Sequence, residues 1–181
     1  MNDTVKQIIK GVYTFKKVNP KMFEKISKYV NVYLMCLIFG KTESNYNHKI
    51  KGFDGEIGAF QYMPSTLDYI LTKYKSSFKD IQKTKDLFIN NADSQAFILC
   101  FSLYDYVVLL ENNGGLLNSD YENYIKLFPN HLQNYIRIGV LHNQGTATKS
   151  IAKRFYPPLF CVNRVSIVAN ELYHLIFASK T

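Results

Sequence analysis

The residues Gly40-Lys41-Thr42-Glu43-Ser44-Asn45-Tyr46 follow the apolar run 32–39 and precede Gly55-Glu56-Ile57-Gly58-Ala59-Phe60-Gln61-Tyr62-Met63-Pro64-Ser65-Thr66. In order, these are a greasy helix, a carboxylate at its polar end, and a glycine-rich segment. Burial beside apolar side chains disfavours the charged form of a carboxyl group, so a Glu placed there keeps its proton closer to neutral pH. Glycines let a backbone and a substrate come close together. Glu43 is therefore the lead candidate for chemistry.

Upstream of this stretch, Asn19 caps and Pro20 opens a helix in which Phe23, Ile26, Val30, Tyr33 and Leu37 recur every three or four residues. The spacing predicts one long helix whose C-terminal end delivers Glu43. Residues 4–17 form an earlier helix, with Val5, Ile8, Ile9, Val12 and Phe15 on one face. Downstream, residues 44–64 lose the helical period and read as a loop or small β-hairpin region. Pro64 restarts a helix through Leu67, Ile70, Leu71 and Tyr74, and residues 76–85 read as a polar, basic connection.

Asp93-Ser94 caps a buried helix through Phe97, Cys100, Phe101, Tyr104 and Val108, which Asn112-Asn113-Gly114-Gly115 stops. Ser119 caps a short helix running to Phe128, and Asn130 caps the next, through Leu132, Tyr135, Ile136 and Val140 into His142-Asn143-Gln144-Gly145. Residues 148–155 form another short helix, Pro157-Pro158 a turn, and 160–177 an apolar closing helix. With no βαβ rhythm and no internal repeat, the class is mainly α.

The 181 residues are 47% hydrophobic and 20% charged, which fits one globular domain with a real core. Residues 1–18 stand as a candidate accessory basic N-terminal helix on that domain. The net charge of +8 favours anionic partners, with Lys6, Lys10, Lys16, Lys17, Lys21, Lys25 and Lys28 gathered at the start. Cys36, Cys100 and Cys161 are odd in number, widely spaced and set among apolar residues, so they read as buried thiols rather than disulfides or metal ligands. No cofactor and no metal are expected. No signal peptide is visible and the run 32–39 is too short to span a bilayer, so stable membrane insertion is not expected.

The pattern Glu43-Ser44-x-Tyr46, then Gly55-x-x-Gly58-x-x-Gln61-x-Met63-Pro64-x-Thr66, resembles the catalytic signature of the soluble lytic transglycosylases, which share a lysozyme-like α fold with goose-type lysozyme. His142-Asn143-Gln144-Gly145 resembles that family's Tyr-Asn-Ala-Gly segment. Val162-Asn163-Arg164-Val165 resembles the stretch after its late tyrosine, with Cys161 standing where the tyrosine would be. The resemblance implies a monomer that cleaves the β-1,4 bond between N-acetylmuramic acid and N-acetylglucosamine in peptidoglycan, with 1,6-anhydro-muramic product.

In that reading Glu43 is the sole acid and base. Gln61, Tyr62, Met63, His142 and Asn143 line the glycan groove, and Ser44, Gly55 and Gly58 support it. The sequence departs from the family at His142, where a tyrosine is usual, and at Gly52, where many members carry a serine near the acid. Hydrolysis by the same Glu, with Asp54 holding a water, is the nearest alternative. A basic protein that binds wall or nucleic acid without catalysis is the more distant one, and no recognised nucleic-acid motif supports it. A wall substrate places the site of action outside the cytoplasmic membrane, through a virion, a holin or another export route.

Overall fold

Asn2 starts the first helix by accepting the Thr4 N–H on its side chain at 2.9 Å. This α1 (Asp3–Val18) runs until Asn19 and Pro20 interrupt it and α2 (Pro20–Ser27) begins. The computed structural model describes residues 2–144 and 158–177. The remaining described helices are α3 (Val32–Ser44), α4 (Pro64–Lys73), α5 (Ile81–Asn90), α6 (Ala92–Asn112), α7 (Ser119–Ile125), α8 (Asn130–Gln144) and α9 (Pro158–Phe177). A single 3-10 turn, Lys75–Ser77, follows α4. Among the described residues no continuous strand forms, so the mainly α class holds.

The helix expected to run unbroken from Pro20 to Glu43 is two helices. Asn31 divides them: its side chain accepts the Leu34 N–H at 3.1 Å and so caps α3, while its own N–H donates to the Tyr135 hydroxyl at 2.9 Å. Asn19 sits at the N-cap of α2 without a side-chain cap bond. The break frees α3 to take its own direction, and α3 is the helix that carries Glu43.

The stretch 76–85, read as a connection, holds the 3-10 turn and the start of α5, capped by Asp80 on the Lys83 N–H at 2.9 Å. Only Phe88 of α5 is buried, which leaves too thin an apolar stripe to read from sequence. Three expected caps shift: Asn91 rather than Asp93 precedes α6, Asn118 rather than Ser119 caps α7, which ends at Ile125, and Asn130 is the first residue of α8 rather than its cap. The short helix expected at 148–155 lies outside the described residues, as do Gly145 and Pro157. Cys36 and Cys100 are fully buried free thiols, and the side chain of Cys161 lies outside the described ones.

Helix α6 is the central element, packed against α1, α2, α5 and α8. Among the described residues it alone is long and apolar enough to cross a membrane, and most of it is buried inside the protein. The helix α1 is no appendage: Ile8, Val12 and Phe15 are fully buried, and Phe15 meets Phe97 and Phe101 of α6 edge-on at 5.7 and 5.0 Å. Each such side chain contributes about 1.5–3 kcal/mol by leaving water. The lysines of α1 line its outer face, as an amphipathic core helix requires. One cluster of buried apolar residues runs from Ile8 to Ala169 and includes both α3 and α9.

Candidate active site around Glu43

Asn45, in the left-handed conformation at φ 51°, ends α3, and Tyr46 follows at φ 65° with its N–H returned to the Gly40 carbonyl at 2.8 Å. That turn folds the Tyr46 ring over Gly40, where a Cβ would lie 2.9 Å from the ring, so a glycine inside the helix is required there. Glu43 occupies the last turn with its side chain only 9% exposed. Its Oε2 accepts a hydrogen bond from Nη2 of Arg164 on α9 at 3.0 Å, and the same nitrogen also donates to the Thr42 carbonyl at 3.0 Å. Its Oε1 is buried with no hydrogen-bond partner among the described residues.

Burial pushes the Glu43 carboxyl above the ordinary carboxylate range. The Arg164 guanidinium pulls against that shift, and the nearby Glu56 carboxylate adds to it. Burial outweighs the arginine because only one of the two oxygens is paired. Glu43 is thus a carboxyl group held toward its neutral form in a place where a proton on Oε1 meets no protein acceptor.

The loop after α3 is a folded platform. Ile57 bridges Lys51 on one side and Tyr62 on the other, both antiparallel, giving the small hairpin region expected from the sequence without a continuous strand. Ser44 Oγ donates to the Ala59 carbonyl at 2.9 Å and so joins the end of α3 to the loop, the supporting role read for it. From beneath, the fully buried Gln95 of α6 accepts the Ala59 N–H at 2.8 Å and donates to the His48 and Phe88 carbonyls at 3.0 and 2.8 Å.

Gly58 has φ 81°, and a Cβ there would lie 2.5 Å from the Gln95 amide, so its glycine answers both a turn and a close approach. Gly55, at φ 89° with open space around it, serves the turn alone. The space above Gly52 is taken by the Glu56 carboxylate and the Gln61 side-chain oxygen, which a Cβ would meet at 2.2 and 2.7 Å. The expected serine contact is therefore replaced by a carboxylate. Gln61 has φ 48° and donates to the Gly58 carbonyl at 2.9 Å, which fixes its amide in the loop with its oxygen beside Gly52.

Two expected groove residues, Tyr62 and His142, are corrected. Tyr62 is a core residue, 3% exposed, with its hydroxyl on Ser102 and its ring edge-on to Phe88. The turn at Gln61 sends the following side chain inward, an orientation that spacing alone does not give. The His142 ring stacks on Phe39 of α3 at 4.1 Å, with Nε2 3.2 Å from the Phe60 carbonyl and Nδ1 3.2 Å from the Tyr106 hydroxyl. A carbonyl only accepts, so Nε2 carries the hydrogen and Nδ1 accepts from Tyr106. Burial pulls the imidazole down to about 4, so it is neutral and committed to the protein. Asn143 uses its amide nitrogen on the Gly139 carbonyl at 3.1 Å. Met63, 39% exposed, stays available on the rim.

Four residues that matter here were not singled out from the sequence. Arg164 reaches Glu43 from α9. Glu56 supplies a second carboxylate whose charge Glu43 senses, and Asp54, expected to hold a water, instead points its N–H at Glu56 Oε2 at 3.0 Å from an exposed turn. Phe53, at the tip of the same loop, is fully exposed. Tyr106 lies close enough to sense the charges of both Asp105 and Glu43, and its burial raises its hydroxyl far above the ordinary range. An aromatic residue inside a Gly-x-x-Gly turn was the one readable signal among these.

Two concavities lie away from Glu43. One of about 590 Å³ is lined by Lys6, Ile9, Lys10, Tyr13 and Tyr33, and the other, of about 270 Å³, lies between Gly11, Phe78, Leu87 and Phe97. The chemistry points to Glu43 all the same, because neither concavity holds a carboxyl group with an unpartnered buried oxygen. Among the described residues no three His, Cys, Asp or Glu side chains converge as a metal site. Comparison with known proteins found no matching family, no matching curated protein and no matching solved structure.

Proposed function

We propose that the protein is a peptidoglycan lytic transglycosylase of lysozyme-like fold, with Glu43 as its only acid and base. The observation that carries this reading is the buried Glu43 carboxyl, pushed by burial above the ordinary carboxylate range, whose Oε1 has no partner among the described residues, set beside the glycine-turned loop 52–61. A carboxyl group in that state donates a proton well, and general acid–base catalysis of this kind is worth roughly 10²- to 10⁴-fold. Glu43 protonates the glycosidic oxygen as the C1–O bond of the muramic residue breaks. As carboxylate it then takes the proton from the muramic C6 hydroxyl, whose oxygen bonds to C1 and closes the 1,6-anhydro ring.

The substrate's own N-acetyl group supplies the internal stabilisation that makes a second carboxylate unnecessary. Gln61, Met63 and the exposed Phe53 offer one polar and two apolar surfaces to the glycan. In the resting structure Oε1 is covered, so the glycan reaches it only as the side chains above it part. The net charge of +8 suits a polyanionic wall, and the protein reaches that wall through a virion, a holin or another export route.

Hydrolysis is the second reading, favoured by one observation: the Glu56 carboxylate stands close enough to act on Glu43 electrostatically. In that case Glu56, not Asp54, orients the water. Mass spectrometry of sacculi digested by the parent and by Glu43→Gln decides between them. Anhydro-muropeptides from the parent, reduced about a hundredfold or more in the variant, are expected. Reducing ends alone would transfer the assignment to a muramidase, and full activity in Glu43→Gln would remove the proposal.

A further inference from the structure

Arg164 lies 33% exposed on α9 and places one nitrogen, Nη2, 3.0 Å from both the Thr42 carbonyl and Glu43 Oε2. The Thr42 carbonyl belongs to the last turn of α3, where helix carbonyls lack intrahelical partners. The guanidinium is therefore anchored on the backbone of the helix that carries Glu43 as well as on its side chain. Its approach is built into the packing: α9 crosses α8 at Gly139, where a Cβ would lie 2.6 Å from the Val165 side chain. A side chain at 139 would collide with Val165, the neighbour of Arg164 on α9.

We infer that Arg164 is the positioning residue of Glu43: by occupying Oε2 it leaves Oε1 as the oxygen that carries the proton and meets the substrate. This rests on the proposed role of Glu43 as acid. A neutral carboxyl group has one O–H and one acceptor oxygen, and a guanidinium only donates. With Arg164 on Oε2, the hydrogen belongs on Oε1, the buried atom without a protein partner. As the proton leaves, the same guanidinium faces the developing carboxylate, which lets one buried group act first as acid and then as base. Among the described residues, the other charged or titratable groups near Glu43 are Glu56 on the loop and Tyr106 on α6, with neutral His142 on α8 beside Arg164. None of these supplies a second cation.

The test is a carbon-detected NMR titration of the Glu43 carboxyl in the parent, Arg164→Met and Arg164→Lys, with circular dichroism to show that each variant is folded. Losing the guanidinium removes the influence that holds the carboxyl down, so the Glu43 midpoint rises in Arg164→Met and lies between the two in Arg164→Lys. On sacculi, kcat falls up to about a hundredfold in Arg164→Met with little change in KM, and the alkaline limb of the rate profile moves to higher pH. Arg164→Lys recovers part of the rate. A folded Arg164→Met with an unmoved Glu43 midpoint overturns the inference. A moved midpoint together with a parent that cleaves no sacculi supports the pairing and overturns the transglycosylase reading instead.

Discussion

The described residues include two Glu–Arg pairs of opposite behaviour. Glu122 of α7 accepts two hydrogen bonds from Arg137 of α8, at 2.9 Å from Nε and 2.8 Å from Nη2, and a third from the Leu117 N–H at 2.8 Å. Both oxygens of that carboxylate are paired, and Arg137 with Leu117 holds it below the ordinary range although burial pushes the other way. Glu43 has one guanidinium nitrogen, shared with a backbone carbonyl, and one oxygen with nothing on it. Burial wins there and the carboxyl rises. The residue types are the same, so deeper burial of Glu43 and the larger number of donors on Glu122 together separate a reagent from a staple.

Glu43→Gln and Glu122→Gln set this comparison against stability. Glu122 is only half-buried, so breaking its hydrogen-bonded pair costs about 1–3 kcal/mol, and Glu122→Gln lowers the melting temperature. Glu122 has a folded pKa below its unfolded one, so its contribution is present above the unfolded value and is lost as pH falls through the folded value. Glu43 has the reverse sign. Its folded pKa lies above the ordinary 4.5, so the folded protein binds more protons and stability declines as pH rises from the unfolded towards the folded value. Glu43→Gln is accordingly stabilised by about 1 kcal/mol at neutral pH, with the gain fading in acid. Thermal melts of both variants across pH check this, and a Glu43→Gln variant less stable than the parent at neutral pH would end the contrast.

The sequence made one side of the site legible and hid the other, for a physical reason. Everything near Glu43 along the chain obeys local rules: Asn45 can take a left-handed cap, Gly55 and Gly58 take positive φ, and Ser44 lies within reach of the following loop. Arg164 lies beyond local rules, because its pairing with Glu43 depends on α9 packing against α3 from the far end of the chain. The helix break before α3 was hidden differently. Phe23, Ile26, Val30 and Tyr33 stay in helical phase across it, so the period conceals the interruption, and Asn31 was its only mark. Tyr62 and His142 were expected to face a substrate because they are polar aromatics inside the motif. They proved to be internal partners, with Tyr62 on Ser102 and His142 holding Phe39, Phe60 and Tyr106.

The platform under Glu43 offers another break. Gln95 uses its amide oxygen once and its nitrogen twice to hold Ala59, His48 and Phe88, all from a fully buried position. Replacing it with Leu leaves the Ala59 N–H and two carbonyls without partners, at about 1–3 kcal/mol for each group that water does not reach. The expected outcome is a destabilisation of about 2–3 kcal/mol, with hydrogen-exchange protection lost first in residues 57–62. The Glu122–Arg137 region keeps its protection until global unfolding. Uniform loss across both regions would mean that Gln95 supports the whole core and not the platform.

The smallest effect belongs to Phe53, and it tests whether the loop beside Glu43 faces a glycan at all. A fully exposed Phe gains nothing from burial in the free protein, so Phe53→Ala leaves stability within about 0.5 kcal/mol. If the ring covers the C–H face of a sugar, its loss removes a contact of about 1 kcal/mol, a several-fold rise in KM with kcat nearly unchanged. That pattern is the complement of the one expected for Arg164→Met, where kcat falls and KM holds. Steady-state turnover of sacculi by the two variants separates a residue that holds substrate from one that positions the acid. An unchanged KM in Phe53→Ala would confine substrate contact to Gln61 and Met63 and place the glycan away from the loop tip.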